Sequence, residues 1–515
     1  MIFRAPEQPL TIPEVALTPL LLERAADRGD KPAFIDGPSG RTLTYRGWAE
    51  AVRRVAAGLH QRGFRKGDVL AIYSSNLPEY AVIFHAVSLL GGVNTTINPL
   101  YTADELTRQL KDAGARYLVT APPFVEKAEQ AARDAGIREV FVFGEPSFTS
   151  LLDSAGEPPS VAIDPRRDLV VMPYSSGTTG LPKGVMLTHY NLVANLLQSA
   201  CVLGLTERDT TIGVLPFFHI YGMVVIMNLS LHVGATVVTM PRFDLQQFLQ
   251  TIEKYRVTYA NVVPPIVLAL AKNPLVDNYD LSRLRILFSG AAPLGANVAQ
   301  AASTRLGCEV TQGYGMTETS PVTHAARAGT GNLKPAGIGP PLPNTEAKIV
   351  DVQSGAELGP NQQGEICVRG PQVMKGYLNQ TEATAAMIDR DGWLHTGDVG
   401  YADADGCFFI VDRVKELIKY KGLQIAPAEL EAVLLAHPSV ADAAVVPLDD
   451  EEAGQVPKAF VVLKSQATAD QLMCFVAERV APYKKLRRLE VTDQIPRSPS
   501  GKILRRLLVE RERAR

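Results

Sequence analysis

From Leu43 onward the sequence alternates apolar runs of strand length with stretches of helical periodicity, and that alternation restricts the fold more than any other feature. Trp48, Val52, Val55 and Leu59 recur at helical spacing, and Gly63 supplies a stop. Val69-Leu70-Ala71-Ile72-Tyr73 fits a buried strand, and an apolar helix is expected from about Pro78 to Leu90. Thr102-Ala103-Asp104-Glu105 has the Thr and Glu of a capping box that opens a helix, with Tyr117-Leu118-Val119 as the next strand. Val237-Val238, Tyr259-Ala260-Asn261-Val262-Val263 and Ile286-Leu287-Phe288 continue the series of strands, with helical stretches between them. Such a βαβα order predicts a mostly parallel sheet covered by helices.

At 515 residues the chain is longer than one hydrophobic core sustains, so more than one domain is expected. From about Gly337 the texture changes to short strands split by Gly, Pro and Asn, such as Ala347-Lys348-Ile349-Val350 and Gly364-Glu365-Ile366-Cys367-Val368. These suggest a small β-rich subdomain. After Asp412-Arg413-Val414-Lys415 comes a tail of about 100 residues with its own βαβ-like composition. Its helix is expected to begin at Pro427, bury Leu430, Val433 and Leu434, and end near His437-Pro438.

Within this frame one loop stands out. Ser175-Ser176-Gly177-Thr178-Thr179-Gly180-Leu181-Pro182-Lys183-Gly184 follows the apolar strand Leu169 to Tyr174. Its glycines let backbone N–H groups come close to a ligand, its hydroxyls donate, and its lysine adds charge. Phosphate binding is one reading and a plain surface loop the other. No Walker A frame fits, because glycine follows the lysine where Ser or Thr would be needed.

The bulk properties exclude some classes of function. A formal net charge of −2 provides no global field for nucleic acid or an anionic membrane. Cys201, Cys308, Cys367, Cys407 and Cys474 are scattered without C-x-x-C spacing, which argues against a disulfide framework and a structural zinc site and for reduced thiols in a cytoplasmic protein. The most hydrophobic region, Val214 to Val238, contains Pro216, His219, Asn228 and His232, so buried sheet and helix is expected there and not a membrane span. Met1 to Glu7 lacks an apolar signal core, and Glu510 to Arg515 carries no peroxisomal or retention address and looks like a solvated helix end.

Four further motifs each admit two readings. His219 and Tyr221, in Phe217-Phe218-His219-Ile220-Tyr221-Gly222, are either catalytic or satisfied core residues. Ser289-Gly290-Ala291-Ala292-Pro293-Leu294 could floor a flat ring or simply turn tightly. Gln312-Gly313-Tyr314-Gly315-Met316-Thr317-Glu318 pairs a hydroxyl with a carboxylate, which suits a hard cation or a helix N-cap. Asp398, in Trp393-Leu394-His395-Thr396-Gly397-Asp398, could accept from ribose hydroxyls or form an Asx turn.

The order and spacing of these motifs resemble the adenylate-forming superfamily of acyl-CoA ligases, luciferases and peptide-synthetase adenylation domains. Ser175 to His189 and Gly364 to Gly370 bring the chain most like the 4-coumarate–CoA ligases, and the resemblance runs from about Leu43 to Leu504. It implies an α/β fold: a large N-terminal AMP-binding domain over residues 1–412 with a small β-rich subdomain, a hinge at 413–416, and a small mobile α+β domain over 417–515.

The resemblance also implies roles for residues. Ser175, Ser176, Gly177, Thr178, Thr179 and Lys183 match the loop that holds the ATP β- and γ-phosphates. Gln312, Gly313, Tyr314 and Thr317 match positions around adenine and the α-phosphate, Glu318 the Mg2+ ligand, and Asp398 and Arg413 the ribose contacts. Lys502 matches the lysine that bridges carboxylate and α-phosphate, where an ammonium offsets the repulsion of two anions in the transition state. Lys415 matches the hinge residue, also counted with the nucleotide site. Lys419 and Gln424 match residues that replace Lys502 in a second orientation, and Arg242, Lys421 and Gly422 match contacts to coenzyme A.

His219 matches a residue at the acyl site, and Tyr221, Val225, Ala291, Pro321 and Val322 match the acyl pocket. Val225 stands where several relatives carry serine, so a buried 4-hydroxyl would lose a partner worth about 1–3 kcal/mol. Cinnamate or a medium-chain fatty acid is therefore expected to be accepted beside coumarate. The implied partners are a small carboxylic acid, ATP and CoA, with no nucleic acid and no membrane span, in a monomer or homodimer. Carrier-protein loading and a luciferase-like oxygenase are the rival activities; FFHIYG around His219 departs from the luciferase texture.

Overall fold

The computed structural model of the chain describes residues 1–175, 182–329, 334, 336–420, 423–450, 452–498 and 501–513, with Leu423, Gln424 and Arg513 described by backbone alone. Among the described residues the strands form four sheets. In the first, Val93–Ile97, Val69–Tyr73, Ala115–Thr120 and Glu139–Val142 run parallel, and Leu169–Ser175 joins them beside Val93–Ile97. The antiparallel Lys183–Thr188 and Gly376–Tyr377 close that edge. The second sheet runs parallel from Glu309–Gly315 through Ile286–Ser289, Tyr259–Val262, Thr210–Gly213 and Thr236–Thr239 to Pro32–Asp36, with an antiparallel strand at each end. The parallel, helix-covered architecture expected from the alternation is thus present.

Helices do the covering that the sequence pattern requires. Tyr45–Gln61 buries Trp48, Val52, Val55 and Leu59 completely, and Pro78–Leu89 buries every residue from Tyr80 to Ser88. Thr102 and Glu105 form the expected capping box at the start of Ala103–Asp112. The main core joins these helices to both sheets.

The β-rich region after Gly337 is an antiparallel sheet of Glu346–Val350, Gly364–Arg369, Leu394–Ala402 and Phe408–Arg413. Its remaining strand, Phe3–Arg4, comes from the other end of the chain and pairs with Glu346–Val350. Two residues carry no periodicity, so only the tertiary contact reveals them; the Phe3 ring meets Phe408 edge to face at 5.2 Å.

The tail builds its own sheet from Ile418–Tyr420, Leu423–Ile425, Val440–Asp450, Gly454–Leu463 and Arg488–Val491, with a separate core that includes Ile418, Leu430, Leu434 and Leu472. Helix Pro427–Ala436 starts at the expected proline, buries Leu430 and Leu434 and leaves Val433 half-buried.

One expectation gains a detail and one is corrected. The region Val214 to Val238 is buried as expected, but Tyr221–Asn228 is a π-helix running into helix Leu229–Val233. Asn228 Nδ2 donates to Met223 O at 2.8 Å within it. The C-terminal helix Arg505–Arg513 is not merely solvated: Leu508 is buried, and Lys458 in the sheet pairs with Glu512 at 2.7 Å. A basic, acid-rich composition concealed one apolar and one ionic contact surface.

Candidate active site

On either side of the loop singled out in the sequence, Leu169–Ser175 and Lys183–Thr188 pair antiparallel, with Ser175 opposite Lys183. Ser176, Gly177, Thr178 and Thr179 lie outside the described residues. What this pair touches is informative. Ser175 Oγ donates to Glu318 Oε1 at 2.9 Å, and Tyr377 Oη donates to the same oxygen at 2.8 Å. Lys183 Nζ stands 5.0 Å from the centre of the Tyr377 ring. Glu318 is buried in the 3-10 turn Thr317–Thr319. Its Oε2 takes no hydrogen bond from the described residues, which leaves a hard oxygen for a cation. Burial and then the Glu318 carboxylate push the Tyr377 hydroxyl well above its ordinary pKa, so it stays a donor.

Sequence reasoning missed Tyr377. It lies on a two-residue strand, Gly376–Tyr377, and only its pairing with Lys183–Thr188 brings it to the loop.

A second group forms where the β-rich sheet meets the second sheet. Asp398 and Arg413 sit opposite each other in register, and Arg413 Nε lies 3.2 Å from Asp398 Oδ1. Tyr314 Oη donates to Asp398 Oδ2 at 2.5 Å. Gly397 N donates to Glu365 Oε1 at 2.9 Å, which holds the turn leading into Asp398. The Asp398 carboxylate is therefore fixed on both sides.

Lys502 arrives from the tail and lines the same cavity as His219, Tyr221, Tyr314 and Thr317. Burial, then Arg413, lowers its pKa from the ordinary 10.5, while Asp398, Glu318 and Glu416 act in the opposite direction. One ammonium thus lies within the field of the nucleotide-side carboxylates and the guanidinium. His219 Nδ1 accepts from Tyr221 N at 3.3 Å, which places the proton of its neutral form on Nε2. Burial, then Lys502, lowers its pKa to about 4, so His219 is uncharged near neutral pH.

The rest of the cavity is apolar and flat-walled. Tyr221, Ala291, Gly313, Pro321 and Val322 line it as the resemblance implies, joined by Phe288. Tyr221 Oη donates to Phe288 O at 3.1 Å, and the two rings meet edge to face. A Cβ on Gly313 would fall 2.6 Å from Phe288 Cζ, and one on Gly290 would fall 2.8 Å from Tyr221 Cε1. Both glycines are needed for these rings to stand where they do.

Val225, expected in the acyl pocket, and Gln312, expected around adenine and the α-phosphate, do not line this cavity. Val225 is wholly buried in the main core, where the all-apolar π-helix places it, and the cavity wall is made by Tyr221 and Phe288. Gln312 does not line the cavity either; its Oε1 accepts from Leu294 N at 3.1 Å and so braces the Ser289 to Leu294 loop.

The residues expected for the second orientation are elsewhere. Lys419 is exposed, directly opposite Gln424 in the hairpin of Ile418–Tyr420 and Leu423–Ile425. Lys421 and Gly422 lie outside the described residues, as does the Gln424 side chain. Arg242 is exposed on the loop before helix Leu245–Tyr255. Lys415 is exposed in the turn between Phe408–Arg413 and Ile418–Tyr420. Beside it, buried Asp412 accepts from Ala428 N at 2.9 Å, and Arg505 pairs with Glu431 at 2.8 Å and with Glu416. Burial raises the Asp412 carboxyl to about 6.

Compared with known proteins, residues 21–378 match the family described as AMP-binding enzyme, and residues 429–502 match the AMP-binding enzyme C-terminal domain. The chain belongs to the AMP-binding enzyme family. It is 44% identical over 522 residues to 4-coumarate--CoA ligase 2 of Petroselinum crispum, covering 98% of this chain and 96% of that protein. It is 47% identical over 504 residues to 4-coumarate--CoA ligase of Pinus taeda, covering 95% and 93%. Among solved structures, ATP-bound MatB from Rhodopseudomonas palustris superposes with a TM-score of 0.89 at 30% identity, covering 96% of this chain and 99% of that one. An anthranilate CoA ligase, AuaEII, in complex with anthranoyl-AMP gives 0.89 at 27% identity, covering 98% of each chain.

Proposed function

We propose that the chain is an ATP-dependent, AMP-forming acid–CoA ligase acting on 4-coumarate or a related aryl-propenoic acid. The carrying observation is the placement of Lys502, a residue of the tail, in one cavity with apolar walls and beside the Asp398–Arg413 pair and Glu318. A carboxylic acid in the apolar part, between Tyr221, Phe288 and Val322, would present its carboxylate to the ammonium. That charge offsets the repulsion as the carboxylate oxygen attacks the ATP α-phosphorus and pyrophosphate leaves. Neutral His219 keeps the acyl end of the cavity from acquiring a second positive charge. The thiol sulfur of CoA then attacks the acyl carbon and AMP leaves with the electron pair. Adenylation has already made the leaving group good, so no protein nucleophile is needed.

Glu318 is the residue suited to hold Mg2+, since one of its oxygens is pinned by Ser175 and Tyr377 and the other is left over. The ion would neutralise phosphate charge when bound. Ser175 and Lys183, with the Ser176, Gly177, Thr178 and Thr179 stretch, form the phosphate loop, and Thr317 lies at the α-phosphate. Residues 1–412 act as the AMP-binding domain and 417–515 as a body that turns about 413–416, with Lys415 at the pivot. The turn withdraws Lys502 and presents Lys419 and Gln424, while Arg242, Lys421 and Gly422 receive CoA.

The names of the full-length relatives favour 4-coumarate, and the apolar walls also suit cinnamate or an aliphatic acid. Pyrophosphate release would be measured across hydroxylated and plain cinnamates, benzoates and fatty acids of graded length, followed by CoA-dependent AMP release. The highest kcat/KM is expected with the cinnamates. Adenylation of every cinnamate without thioester formation would overturn the CoA-ligase reading, and a clear preference for fatty acids would overturn the aryl-propenoic one.

A further inference from the structure

Away from the nucleotide-facing side chains, strands Gly364–Arg369 and Leu394–Ala402 bring Glu365, Cys367 and His395 together. One ligand atom from each lies within 4.8 Å of the others. His395 Nδ1 is 2.9 Å from Glu365 Oε2 and 3.4 Å from Cys367 Sγ. Both contacts converge on one ring nitrogen. If Nδ1 carries a proton it can donate to Glu365 but cannot accept from the thiol; without a proton the reverse holds. A hydrogen-bond network satisfies one of the two contacts, whereas a point cation among the three atoms satisfies both.

The spacings fit such a cation. With Zn–S of about 2.3 Å and Zn–N of about 2.0 Å, tetrahedral angles place sulfur and nitrogen about 3.5 Å apart. Nitrogen and oxygen would need to separate by a few tenths of an ångström, a small side-chain movement for Glu365. On the far side of the ring, His395 Nε2 lies 3.7 Å from Asp389 Oδ2. A carboxylate behind a metal-bound imidazole orients the ring and raises its basicity. Lys348 and Arg369 are opposing charges nearby, both over the Trp393 ring; Lys348 already pairs with Glu357 at 3.2 Å and Arg369 with Glu346 at 2.5 Å. The ring is about one-third exposed, which gives an ion a way in, whereas Cys367 is fully buried.

We propose that Cys367 Sγ, His395 Nδ1 and Glu365 Oε2 form a binding site for a thiophilic divalent cation such as zinc, with water as the fourth ligand and Asp389 orienting the imidazole. The site differs in chemistry from Glu318, whose described neighbours Ser175 and Tyr377 offer oxygen atoms. Binding replaces the thiol proton, and any proton on Nδ1, with the metal.

The test uses the full chain, freed of metal by a chelator and titrated with Co2+ alone. Cobalt bound through sulfur shows a thiolate-to-metal charge-transfer absorption, which cobalt on Glu318 cannot produce. A saturable band is expected that Zn2+ displaces. It should disappear in Cys367→Ser, persist in Cys407→Ser and Cys474→Ser, and require about tenfold more cobalt in Asp389→Asn. His395→Gln, at a partly exposed ring, keeps the test decisive if Cys367→Ser does not fold, and it too should lose the band. Absence of any thiolate band in the unaltered chain, or its survival in His395→Gln, would overturn the proposal.

Discussion

The cavity around Lys502 and the hairpin carrying Lys419 are built in opposite ways. Asp398, Glu318 and Tyr314 are held by hydrogen bonds to Ser175, Tyr377 and one another and by the Asp398–Arg413 ion pair. Lys419 stands exposed on a three-residue strand whose backbone N–H donates to Gln455 Oε1 at 3.0 Å. The first group is preorganised for adenylation in this orientation. In the second, the exposed Lys419 ammonium makes no hydrogen bond or ion pair among the described residues, as expected of a group that works only after the tail has turned.

The sharpest break in this contrast is Lys502→Ala. Pyrophosphate release should fall by about 10²–10³-fold, the scale for removal of one transition-state charge contact, while thiolation of supplied acyl-AMP stays nearly intact. Lys419→Ala should do the converse and weigh on thioester formation. Equal loss of both half-reactions in both variants would mean that the two groups do not act in separate orientations.

A second prediction uses pH. Lys502 has a depressed pKa, so its charge is lost at lower pH than that of an ordinary lysine. The alkaline limb of kcat/KM for pyrophosphate release should therefore begin below the usual lysine range of 10.5. Lys502→Arg, whose guanidinium does not deprotonate, should move that limb upward even at reduced rate. An unchanged limb would assign it to another group.

Tyr377→Phe tests the brace under the phosphate loop. Loss of a hydroxyl bonded to a carboxylate costs about 1.5–3 kcal/mol, so Mg2+–ATP should bind roughly ten- to a hundredfold more weakly, as measured by calorimetry. AMP binding should change little, because Asp398 and Arg413 are untouched. The smallest functional effect is expected at Val225→Ser. A hydroxyl in the core lowers the melting temperature, whereas the preference between coumarate and cinnamate should shift by less than about twofold, since the side chain does not line the cavity. A large shift in preference would place Val225 back in the pocket.

The same contrast shows which parts of the site were legible. Lys183, Glu318 and Asp398 lie in short motifs of unusual composition, and Arg413 and Lys502 follow from the family resemblance, so all five could be singled out before any fold was known. Tyr377 and Phe288 carry no such signal, and Glu365, though within Gly364 to Gly370, has no role marked by its spacing. They matter through pairing across strands and through hydrogen bonds to residues from 30 to 67 positions away. Cysteine spacing likewise argued against a zinc site, yet Cys367 and His395 are neighbours across two strands although 28 residues apart.

The sequence by itself determined the parallel, helix-flanked sheets, the β-rich region after Gly337 and the separate tail. These follow from local periodicity and from capping and stop residues, which act within a few positions of themselves. Only the tertiary structure decided that Phe3 joins the sheet near Phe408, that Val225 faces the core, and that Tyr377 clamps Glu318. It also placed Lys502, and not Lys419, in the cavity. Those outcomes depend on which buried surfaces meet and on which way the tail is turned, and neither is written in the spacing of residues along the chain.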